Sequence, residues 1–96
     1  AAVVDASPLA EGRADTDLAI EIDRTTDQAG VYPIVLVSYL IGCAEYAEPD
    51  DVELVTSYFS YIASDEGQQV GAEAAGSAPI SSSMREQVLA AIDAMR

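Results

Sequence analysis

Histidine and lysine are absent from this 96-residue chain, cysteine occurs once, at Cys43, and aromatic residues number six. Each shortage excludes something. Without histidine the commonest general base and the commonest metal ligand are both missing. A single cysteine forms no internal disulfide, so cysteine usage leaves the redox compartment open. Cys43 ends an apolar run and reads as a small buried hydrophobe, with no base nearby to make it a nucleophile. The cations are four arginines (Arg13, Arg24, Arg85 and Arg96) against seventeen Asp and Glu, a net charge of -13. A surface of that sign repels nucleic acid and anionic lipid headgroups. The longest apolar run is about a dozen residues, short of the ~20 a membrane helix needs. The first residues lack the basic stretch and apolar core of a signal peptide.

What is present is length for one core and a hydrophobic half rich in alanine. Residues 1–16 are acidic, broken by Pro8 and Gly12, and read as a short turn followed by a loop. Leu18, Ile20 and Ile22 alternate with Asp17, Ala19, Glu21 and Asp23. That period of two predicts a half-buried strand near 18–23. From Val31 to Cys43 the chain is β-branched and aromatic without alternation, which predicts a strand near 32–43 covered on both faces. Pro33 lacks an N–H and belongs at the start of that strand or at an edge.

Pro49-Asp50-Asp51 opens a helix expected near 50–66, with an aspartate at its cap. Val55, Tyr58, Phe59 and Ile62 form its apolar face. Gly67 is expected to break it, and a short helix near 68–75 ends at Gly76. A last helix near 83–95 starts at Ser83, with Glu86 completing a capping box. Met84, Val88, Ile92 and Met95 line its buried stripe. These elements predict an α/β fold, with about two strands and three to four helices in one segment, 1–96.

Residues that could carry chemistry are sparse. Asp50-Asp51 reads as a helix start and Asp65-Glu66 as a helix end, so neither pair points to acid–base work. Asp15-Thr16-Asp17 stops short of a calcium loop. Gly67, Gly71 and Gly76 lack the Lys-Ser/Thr of a phosphate loop. These absences point away from an enzyme, a metal centre and a cofactor. Ser81, Ser82 and Ser83 with Arg85 could hold an anion at a helix start; plain capping of the last helix is the competing reading.

The order of several segments resembles one family. Val31-Tyr-Pro-Ile-Val-Leu-Val-Ser-Tyr-Leu-Ile, then Phe59-Ser-Tyr-Ile, Gln68, and Ala78-Pro-Ile-Ser-Ser-Ser-Met-Arg-Glu-Gln-Val resemble the phosphate-binding protein of bacterial phosphate ABC importers. Ile80 and Ser81 stand where the family pattern has Leu and Pro. The resemblance covers about residues 17–96. It implies the C-terminal part of a two-lobed, type II periplasmic-binding-protein fold, in which Tyr32, Pro33 and Ile34 begin the hinge or crossover strand. It implies an extracytoplasmic location, in the periplasm or lipid-anchored at the cell surface. The partners it implies are inorganic phosphate, held by the missing part of the protein, a membrane ABC permease and the remaining polypeptide. The family's phosphate ligands lie in earlier loops, and none of those motifs occurs in this chain. Two alternatives stay open: a relative that binds another oxyanion, such as sulfate, molybdate or tungstate, and a stand-alone acidic interaction module.

Overall fold

A computed structural model describes every residue, Ala1–Arg96. Its regular elements are four helices: α1 (Ala2–Ala6), α2 (Pro49–Ala63), α3 (Asp65–Ala75) and α4 (Ser82–Asp93). It has no sheet, so the α/β expectation is corrected. The chain spans 47 × 35 × 18 Å. Its thinnest dimension is less than two helix diameters of about 10–12 Å each. A body that thin has little interior, and only Val3, Ala63, Met84 and Ile92 are buried.

Neither expected strand forms a ladder. Near 18–23, the pairing is one isolated antiparallel bridge between Leu9 and Ile20. The bonds beside it run from Ala10 N–H to the Ala19 carbonyl (2.8 Å) and from Glu21 N–H to the Pro8 carbonyl (2.9 Å). Ile20 N–H donates instead to the Tyr39 hydroxyl at 3.0 Å. Residues 32–43 run without turn or bend, and they make no backbone–backbone hydrogen bond. The physical reason is that a helix satisfies its own amides, whereas a strand borrows its partners from elsewhere. Alternation and β-branching describe the backbone and faces of a strand; they do not supply a neighbour.

The covered-on-both-faces expectation for this run also fails. From Val31 to Ser38, half-buried and exposed residues alternate: Val31, Pro33, Val35 and Val37 turn inward, and Tyr32, Ile34, Leu36 and Ser38 outward. Leu36 and Ile41 are each 91% exposed. Cys43 is exposed rather than buried, because the run that should shelter it is itself uncovered. The end of the run packs against the helices. A Cβ on Gly42 would lie 2.8 Å from Met95 Cε and 3.2 Å from Phe59 Cε2, so this glycine lets the chain pass close to α2 and to the end of α4. Cys43 N–H donates to the Tyr46 hydroxyl (2.9 Å), and Tyr46 N–H to the Arg96 carbonyl (2.7 Å).

The helical half is better consolidated. Pro49 occupies the first turn of α2, where a missing N–H costs nothing. Asp50 and Asp51 sit in that turn beside the positive end of the dipole. The cap position is Glu48, not an aspartate, and its side chain makes no capping bond. The break after α2 lies at Ser64, not Gly67. Ser64 Oγ donates to the Tyr61 carbonyl (2.6 Å) and accepts from Gly67 N–H (3.0 Å), so one hydroxyl both ends α2 and caps α3. Asp65 and Glu66 therefore open α3 rather than close α2. Gly67 is needed for another reason: a Cβ there would overlap the Tyr61 carbonyl oxygen. Gly76 caps α3 with φ 68°, a left-handed conformation that glycine adopts without strain. α4 is capped by Ser81, whose Oγ accepts from Met84 N–H at 3.0 Å. The Ser83–Glu86 capping box is not formed, since Ser83 already lies inside the helix.

Candidate functional site

The start of α4 gathers the residues singled out for anion binding. Ser81 is its N-cap, and Ser82 and Ser83 follow as exposed residues of the first turn. Ser81 Oγ accepts from Met84 N–H and donates to Asp5 Oδ1 at 2.7 Å. A carboxylate of the chain itself thus stands where an anion would meet that hydroxyl.

Arg85 does not close over these serines. Its Nε–H donates to the Ala63 carbonyl at 2.9 Å, and its Nη1 lies 2.6 Å from Asp65 Oδ1. The guanidinium is committed to the junction between α2 and α3. Arg85 and the three serines therefore do not converge on one point in space. Their arrangement is that of a cap and a helix–helix tie.

Gln68 has a structural part that its place in the sequence does not announce. Its Nε2 donates to the Ile62 carbonyl (2.9 Å), and its Oε1 accepts from Ile80 N–H (2.9 Å). One amide thus holds the end of α2 and the extended entry to α4 together. The signal that could have found it was weak: one of two adjacent amides, Gln68 and Gln69, near the start of a short helix, a few residues beyond a capping serine.

Tyr32, Pro33 and Ile34, expected to begin a hinge strand, lie on the open run. Tyr32 and Ile34 are exposed, and Pro33 is half-buried. The Pro33 and Val35 carbonyls both accept from Arg24 Nη1, at 3.3 and 3.1 Å. Alternate carbonyls point to the same edge of an extended chain, so one arginine reaches both.

Elsewhere the chemistry is thin. No group of three or more Cys, Asp or Glu is placed to hold a metal ion. A concavity of about 410 Å³ beside Tyr46, Pro49, Val52 and Arg96 is wide open to solvent and brings together one carboxylate, Glu53, and one guanidinium. The perturbed titrating pair is Arg13 with Asp17. The Asp17 carboxyl is held below the usual carboxylate range, first by the hydrogen bond from Arg13 and then by Ala19 N–H. The same bond raises the Arg13 guanidinium. Both side chains are solvated, 51% and 37% exposed, and only 2.7 Å apart, which is the geometry of a surface i,i+4 pair rather than of a reacting centre.

Comparison of the chain with protein-family models, characterised proteins and solved structures finds no significant match.

Proposed function

We propose that this chain is part of an extracytoplasmic solute-binding protein that captures inorganic phosphate and passes it to a membrane ABC permease, and that it has no enzymatic role. The observation that carries the reading is the order and spacing of four segments: Val31–Ile41, Phe59–Ile62, Gln68 and Ala78–Val88. Two structural facts support it. With four buried residues and an uncovered apolar run, the chain behaves as a component of a larger assembly rather than as a closed module. The start of α4, where three hydroxyls and an arginine are neighbours in sequence, is spent on capping and on the α2–α3 junction. Ligand groups then come from the remaining polypeptide.

Isothermal calorimetry tests this with phosphate titrated into the 96-residue chain and into the full parent polypeptide. The expected result is no heat of binding from the chain alone and tight binding by the parent. A parent that ignores phosphate overturns the reading. Sulfate and molybdate titrations on the same parent separate phosphate from other tetrahedral oxyanions.

A further inference from the structure

We draw no further inference here: the strongest candidate, the exposed apolar face that Tyr32, Ile34 and Leu36 present on the extended run before α2, carries none, because nothing in the structure shows what covers it.

Discussion

Arg85 Nε–H, on α4, donates to the carbonyl of Ala63, the last residue of α2, across 2.9 Å. The carbonyls of a helix's last turn have no partner within the helix. Ala63 is buried, so water has little access to this one. A charged donor is therefore supplied from another helix. The Asp65 carboxylate holds the same guanidinium from its other side, but it is 89% exposed.

Arg85→Met should accordingly lower stability by about 1.5–3 kcal/mol, the range for hydrogen bonds to charged groups. Asp65→Asn should cost less than about 1 kcal/mol, since an exposed ion pair is screened. Urea unfolding followed by circular dichroism measures both. Equal costs would mean that the ion pair, not the carbonyl bond, holds α4 to the junction.

The glycines of α3 give opposite expectations from one chemical change. Gly67→Ala places a methyl against the Tyr61 carbonyl, with Ile62 Cα 3.0 Å away, and both are backbone that cannot step aside. A loss of about 1–3 kcal/mol is expected from this overpacking. At Gly71 the new methyl meets only Ser77 Oγ, at 3.4 Å. Alanine is favoured over glycine inside a helix by up to about 1 kcal/mol, so Gly71→Ala should raise the melting temperature. Thermal unfolding of the two variants side by side decides the matter.

Two serines two residues apart should differ in the same way. Ser81→Ala removes the acceptor of Met84 N–H and the donor to Asp5, and should cost about 1 kcal/mol. Ser83→Ala changes an exposed position inside α4 and should stay within about 0.5 kcal/mol. Were Ser83 the costlier site, the start of α4 would have to lie at the downstream serine.

The Arg13–Asp17 pair sets a pH dependence of known sign. The folded-state pKa of Asp17 lies below its unfolded value of about 3.9. Its contribution is thus fully present above that value and disappears as pH falls through the folded pKa. Carbon-detected NMR titration of the Asp17 carboxyl should show an upward move of its midpoint in Arg13→Ala. An unmoved midpoint would assign the shift to Ala19 N–H alone.

The helical half shows its plan in particular residues. Pro49 with two aspartates behind it marks a helix start, and Gly76 marks a helix end, because these signals act within one turn of the chain. Where several capping residues crowd together, local pattern does not rank them. Ser64 against Gly67, and Ser81 against Ser83, are separated by which hydroxyl reaches a free N–H, and that depends on how the neighbouring helix lies. Arg85 was visible as a cation beside serines. Its turn toward Ala63 was not visible, because that carbonyl is 22 residues away in sequence.

What the sequence determined alone is what single residues and short periods can carry: the acidity, the absence of histidine chemistry, the helix starts and stops, and an uncharged extended run from Val31 onward. The tertiary structure decided whether that run has neighbours. Residues 32–43 have no strand beside them, because helices complete their hydrogen bonds internally, while an extended segment is completed only by another chain segment laid beside it.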